Sequence, residues 1–256
     1  MPVTDSELLA LLQAWYWPFL RVSALLLAAP IFGAGSVPVR ARVLLGVLVA
    51  ALLAPSLPAT PAVDVVSPAG ILLAAQQLLI GLAMGFVLQM AFAAIVIAGQ
   101  SLAMTMGLGF AMSVDPQNGV QVPVLSQLYV ILATLIFLAI DGHLVLIRLV
   151  ADSFATLPVG AAPTGGELAL GVVLWAGQMF ACALLLALPA LSAVLLVNIS
   201  FGVITRAAPQ LNIFAVGFPV TITVGFAFIL LSMSSMVSVL QGFFDDSLAQ
   251  ALQLLR

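Results

Sequence analysis

Residues 65–114 form fifty consecutive positions without one Asp, Glu, Lys or Arg. At 1.5 Å per residue a helix of that length would measure about 75 Å, far more than the roughly 30 Å hydrocarbon core of a bilayer requires. The stretch must therefore fold as two helices or as one long bent helix. Its points of weakness are Gly99, Gln100 and Ser101, or the glycines at 107 and 109. The rest of the chain is built the same way. Hydrophobic residues make up 64% and charged residues 6%, where a soluble domain carries about 25% charge. This composition belongs to a membrane or membrane-associated protein. Six arginines, no lysine and nine acidic residues give a formal charge of -3. That balance provides no basic footprint for nucleic acid. The single Cys182 cannot form an internal disulfide and reads as an inert core thiol.

The first residues, MPVTDSELLALLQ, lack the positive region of a secretory signal. Thr4 or Asp5 is expected to cap a helix, with Glu7 in its first turn. That helix continues through LLALLQAWYWPFLRVSALLLAAP. Trp15, Tyr16 and Trp17 fit an interfacial aromatic belt or, alternatively, a packed core. Arg21 is expected to snorkel or to pair with a partner chain. A break at GAGSVPVRAR precedes an apolar segment over residues 43–55 and a proline-rich loop over 56–68. DPQNG, residues 115–119, is a strong turn signal. LSQLYVILATLIFLAIDGHLVLIRLV reads as one further helix, and PVGAAPTGGE as a loop. Residues 168–205 are uncharged and helical in character, with Pro189 as the expected kink. Pro209 separates them from a last apolar segment, 213–240. The chain closes with FFDDSLAQALQLLR, whose Phe244, Leu248, Leu252 and Leu255 share one helical face. This tail is expected to dock at a surface or on a partner. Pairs of small residues such as Gly81/Gly85 and Ala103/Gly107 predict close helix approach.

Gln76, Gln77, Gln89, Gln100, Gln127, Gln178 and Asn198 interrupt apolar surroundings. Buried amides need partners, so these faces are expected to meet other helices rather than lipid. Asp141 and His143 flank Gly142 between two apolar runs. They suit either a proton relay or a locally bonded helix junction. The relay would be the only foothold for a transporter or small-solute channel reading. No zinc spacing, nucleotide loop or positioned catalytic base is present, so no enzymatic role or cofactor is expected. GLGFAMSVDPQNGVQVP, residues 107–123, combines glycines, apolar side chains and a sharp turn, with Met104 and Met106 before it. By chemistry alone it suits a deformable seal or a connecting loop with a hydrophobic anchor.

GVITRAAPQLNIFAVGFPVTITVG closely resembles the C-terminal signature of the FliR family of flagellar export proteins. WPFLRVSALLLAAPIFG, SVPVRAR, GQSLAMTMGLGFAMSVDPQNG and DGH followed by DSFATLPVG fit the same family in order, over nearly the whole chain. The resemblance implies an all-α fold of long, kinked apolar helices. It implies a FliP-like part over residues 1–160 and a FliQ-like hairpin with an amphipathic C-terminal helix over 161–256. These would assemble with several copies of FliP and FliQ into a helical export gate at the bacterial inner membrane, in the flagellar basal body. FlhB would join, and unfolded flagellar proteins would be the cargo, driven by energy sources outside this chain. The resemblance makes Phe110, Met112, Val114, Asp115, Pro116 and Asn118 a plug in the central channel. It makes Arg206, Pro209, Gln210 and Asn212 the hairpin turn, at the cytoplasmic side. It further implies a gate core lying partly above the membrane plane.

Overall fold

The computed structural model describes residues 5–57, 61, 63–109, 124–161, 166–208, 210 and 213–255. Every regular element among them is helical. The order is α1 (Asp5–Ala28), α2 (Val39–Leu53) with a 3-10 turn (Ala54–Ser56), α3 (Pro68–Thr105), α4 (Val124–Ala139), α5 (Gly142–Thr156), α6 (Glu167–Ala207), α7 (Ile213–Leu231) and α8 (Met233–Gln253). Val39–Ser56, Pro68–Thr105 and Leu168–Ala207 are each long and apolar enough to cross a membrane.

Local chemistry sets several of these boundaries. Ser67 Oγ accepts the Gly70 amide at 3.0 Å, a side-chain cap on the first turn of α3. Pro68 follows at the first helical position, where its missing N–H costs nothing. From there α3 runs unbroken for 38 residues, about 57 Å. Of the two expected weak points in residues 65–114, only the second ends the helix. Gly107 turns the chain with φ +82°. Gly99 stays helical and buried, because a close neighbour rather than a bend requires it: a Cβ there would lie 2.6 Å from Ser126 Cα.

Two expected single segments are each divided. The run through 125–150 breaks between α4 and α5, where Asp141 adopts a left-handed conformation at φ 56°. Asp tolerates that region better than most residues, and the break falls at the polar interruption that had offered a helix junction as one of its two readings. The last apolar segment breaks at Ser232 rather than near 240, and α7 and α8 meet there at 60°. The tail is thus the second half of a longer helix. Its apolar face is not left for a surface or partner: Phe244, Leu248 and Leu255 are buried within this chain. Pro189 lies inside α6.

The residues group into two compact units. The first comprises Met1–Ala91, Asp141–Ala176 and Phe244–Arg256. Trp17, Leu25, Leu26, Ile80, Met84, Phe154 and Phe244 form the centre of its core. Trp17 therefore belongs to the core, while Trp15 is half exposed. In this unit α1 and α3 approach closely through the glycine pair. A Cβ at Gly81 would lie 2.8 Å from Ala24 Cβ, and one at Gly85 would lie 2.6 Å from Ala28 Cβ. The second unit comprises Phe92–Ile140 and Gly177–Phe243. Ile95, Leu102, Met106, Tyr129, Phe137 and Val194 are buried there, and Phe92 meets Phe137 edge to face at 6.1 Å. Cys182 is buried in the same unit.

Candidate functional site: two capped helix ends

Of the expected plug residues, Phe110, Met112, Val114, Asp115, Pro116 and Asn118 all lie outside the described residues. So do Pro209 and Asn212 of the expected hairpin turn. Arg206 occupies the last turn of α6 and is exposed. A cation there is favourable against the partial negative charge of the helix end. Gln210 is exposed just beyond. What the structure does define is the end of α3 from which the 110–123 segment departs.

A helix leaves its last four carbonyls without intrahelical donors. At α3 three find one, and a hydroxyl shared with a second, nearer carbonyl lies close to the fourth. The Leu108 amide donates to Ala103 O at 2.9 Å and the Gly107 amide to Met104 O at 3.1 Å. With Gly107 left-handed, this pair of bonds is a Schellman motif. The other two groups are distant side chains. Asn198 Nδ2 of α6 donates to Thr105 O at 3.3 Å. The Thr221 hydroxyl of α7 lies 3.4 Å from Met106 O. Residues 103 and 107, expected from sequence to permit close helix approach, serve the helix terminus, and Gly107 also lies close against the Phe218 ring of α7.

The second capped end was missed from sequence. Arg21 is fully buried, so it neither snorkels nor reaches a partner chain. Its Nε donates to Gln77 Oε1 at 2.9 Å. Nη1 donates to Ser153 O at 2.9 Å and Ser153 Oγ at 3.1 Å. Nη2 donates to Leu157 O at 2.9 Å. The guanidinium carbon stacks 3.9 Å from the centroid of the Phe154 ring, a cation–π contact. Ser153 and Leu157 lie at the C-terminal end of α5, so the arginine is a charged cap on that helix, supplied by α1. Among the described residues no carboxylate pairs with it; carbonyl dipoles and the aromatic face stabilise the charge instead. Gln76 reinforces the same place, donating to Ala161 O at 2.7 Å. The rigid, planar fork of an arginine suits this multi-directional task, which a lysine ammonium cannot reproduce.

The remaining polar candidates divide. Gln77 is buried, as expected for a residue facing another helix, and its Nε2 has no partner among the described residues. Gln89, Gln100, Gln127, Gln178 and Asn198 are exposed. Asp141 is exposed and makes no side-chain cap bond among the described residues. His143 Nδ1 is buried and likewise has no partner among the described residues.

Residues 12–247 match the family described as Bacterial export proteins, family 1. The flagellar biosynthetic protein FliR of Escherichia coli (strain K12) is 44% identical over 225 residues, which cover 88% of this chain and 86% of that protein. FliR of Pectobacterium carotovorum subsp. carotovorum is 45% identical over 213 residues, covering 82% of this chain and 80% of that protein. FliR of Bacillus subtilis (strain 168) is 30% identical over 243 residues, covering 94% and 93%.

Proposed function

The chain belongs to the bacterial export proteins, family 1, and we propose that it serves as a subunit of the flagellar type III protein export gate at the inner membrane. In this reading it completes, with several copies of FliP and FliQ, a channel through which unfolded flagellar proteins leave the cytoplasm. Residues 1–160 act as the FliP-like part and 161–256 as the FliQ-like hairpin. The turn at Arg206, Pro209, Gln210 and Asn212 meets FlhB. Phe110, Met112, Val114, Asp115, Pro116 and Asn118 seal the resting channel by apolar contact.

The observation that carries this reading is uncovered apolar surface on long helices. The candidate span of α2 is 17% buried, against 67% for the one in α3. Val43, Leu44, Val47, Leu48 and Leu52 of α2 are exposed, as are Val173, Leu174, Leu184, Leu185, Leu196 and Ile199 of α6. A surface this apolar must be covered by lipid or by neighbouring subunits. Exposed Gln89, Gln100 and Gln178 on such helices favour neighbouring subunits, since amides pair across helices and find no partner in hydrocarbon. A gate core covered by protein can then lie partly above the membrane plane.

Co-expression with FliP and FliQ followed by native mass spectrometry in detergent tests the proposal. A discrete hetero-oligomer holding one copy of this chain is expected. A monodisperse species of this chain alone, indifferent to both partners, overturns it.

A further inference from the structure

The bare face of α2 differs in kind from those of α3 and α6. The amides that favour neighbouring subunits lie on α3 and α6. On α2, VRARVLLGVLVAALL, the only polar side chains are Arg40 and Arg42. These two are not equivalent. Arg42 Nε donates to Phe32 O at 2.9 Å and Nη2 to Ala34 O at 3.2 Å, so it fastens the turn between α1 and α2. Arg40 is exposed and has no hydrogen-bond or ion-pair partner among the described residues. It sits in the first turn of α2, which has no acidic residue and no side-chain cap. The open amides of that turn add partial positive charge beside the guanidinium.

Arg40 also begins a stripe. Val43, Leu44 and Val47 follow at helical spacing on the same face, and all three are exposed. The stripe ends in an apolar groove of about 250 Å³ between α2 and α1. Val47 and Ala50 line one side, and Trp15, Tyr16 and Phe19 the other. The aromatic wall is braced. Trp17 is fully buried and meets Tyr16 edge to face at 5.0 Å. A Cβ at Gly46 would lie 3.6 Å from Phe19 Cε2, so α2 passes against that ring. Trp15 is the most exposed of the three lining rings. A helix, about 10–12 Å across, is too wide for a groove of this volume, whereas one extended hydrocarbon chain fits. From Arg40 to Ala50 the helix rises about 15 Å, the depth of one leaflet in a hydrocarbon core of roughly 30 Å.

We propose that α1 and α2 hold one anionic phospholipid, with its phosphate on the Arg40 guanidinium and an acyl chain in the groove beside Trp15. Arginine suits the first contact, because its planar fork donates two parallel bonds to phosphate oxygens. The site goes beyond the export-gate reading and uses none of the residues assigned there to the plug or the hairpin turn.

Brominated acyl chains, which quench tryptophan on contact, test the site. The complex with FliP and FliQ is placed in vesicles of equal amounts of phosphatidylcholine and phosphatidylglycerol, one of the two lipids being brominated at a time. The quenching that belongs to Trp15 is the difference from Trp15→Phe, which keeps a ring in the groove. Brominated phosphatidylglycerol should quench Trp15 up to about fivefold more than brominated phosphatidylcholine, the preference that one arginine gives for an anionic lipid surface. Arg40→Gln should bring the two lipids level. Val47→Phe, at an exposed rim position, narrows the groove and should lower quenching by both. Equal quenching by the two lipids in the wild type would mean ordinary bilayer lipid and overturns the site. Quenching by neither would mean that a neighbouring subunit covers Trp15, and overturns it as well. A preference for phosphatidylglycerol that survives Arg40→Gln overturns the place given to the phosphate, and quenching undiminished in Val47→Phe overturns the place given to the chain. If the protein does not assemble with FliP and FliQ, the export-gate reading fails, and the same comparison on the full chain alone decides the lipid site.

Discussion

The C-terminal ends of α5 and α3 face the same problem with different materials. Each helix must find donors for carbonyls that its own backbone leaves open. At α5 the donor is the guanidinium of Arg21, fully buried and held on Gln77, Ser153, Leu157 and the Phe154 ring. At α3 the capping groups are the backbone around Gly107 and two neutral side chains, one of them the exposed Asn198. The charged cap is strong only while every one of its bonds is made, because a buried ion with a missing partner is costly. The neutral cap is a set of small, separable contributions, each of about 1 kcal/mol or less. The difference separates a fixture from an adjustable joint. The α5 end ties α1, α3 and α5 together inside one unit. The α3 end, in the other unit, is where the chain departs for the segment proposed to seal the channel.

The largest effect is expected at the charged cap. Arg21→Ala removes the donors of Gln77 Oε1 and Leu157 O and opens a cavity under Phe154. Each buried acceptor left unpaired costs about 1–3 kcal/mol, so the variant should lose at least about 3 kcal/mol. Arg21→Lys keeps a cation at the helix end but loses the fork, and should fall between. Protein level in the membrane and thermal unfolding of the purified complex measure this. An Arg21→Ala protein as abundant and as heat-resistant as the wild type would mean that the α5 end is not the fixture described.

A smaller loss is expected at Gly107. Its φ of +82° lies in the left-handed region, where a side chain adds about 1–2 kcal/mol. The Phe218 ring adds crowding at that position. Gly107→Ala should therefore lower the unfolding temperature of the complex, and Gly107→Asn should lower it less, because Asn enters this region more readily. Equal effects of the two substitutions would assign the loss to crowding by Phe218 rather than to backbone conformation.

The same contrast explains what was legible in the sequence. Gly107 could be read, because a glycine after a long apolar helix is itself the signal for a Schellman end. The Gly81/Gly85 pair could be read for a similar reason: small residues at helical spacing report close approach directly. Arg21 could not be read. Its partners Gln77, Ser153 and Leu157 lie 56, 132 and 136 positions away, and a lone arginine in an apolar helix fits snorkelling equally well. One signal was available: Gln77 is a second strongly polar side chain in an otherwise apolar stretch, and burial of both would require that they meet or find other partners. The break at Ser232 was hidden because hydrophobicity continues across it, whereas the polar Asp141–Gly142–His143 interruption offered a helix junction as one of two readings. The tail helix was misplaced for a related reason. Its amphipathic pattern correctly predicts a buried face, but a pattern cannot say whether the covering surface belongs to the same chain.

The smallest effect is expected at Asn198, and it probes the joint most finely. Its bond to Thr105 O is long at 3.3 Å, and the side chain is exposed. Water can replace the amide as donor to Thr105 O, so Asn198→Ala should cost about 0.5 kcal/mol or less. Amide exchange near Thr105 should change by no more than about twofold. The comparison with Arg21 gives this small number its meaning. If Asn198→Ala destabilised the complex as much as Arg21→Ala, the exposed amide would have to be buried in the assembly. The face of α6 that carries it would then be covered by a neighbouring subunit, and the α3 end would become a second fixture, completed only when the partners bind.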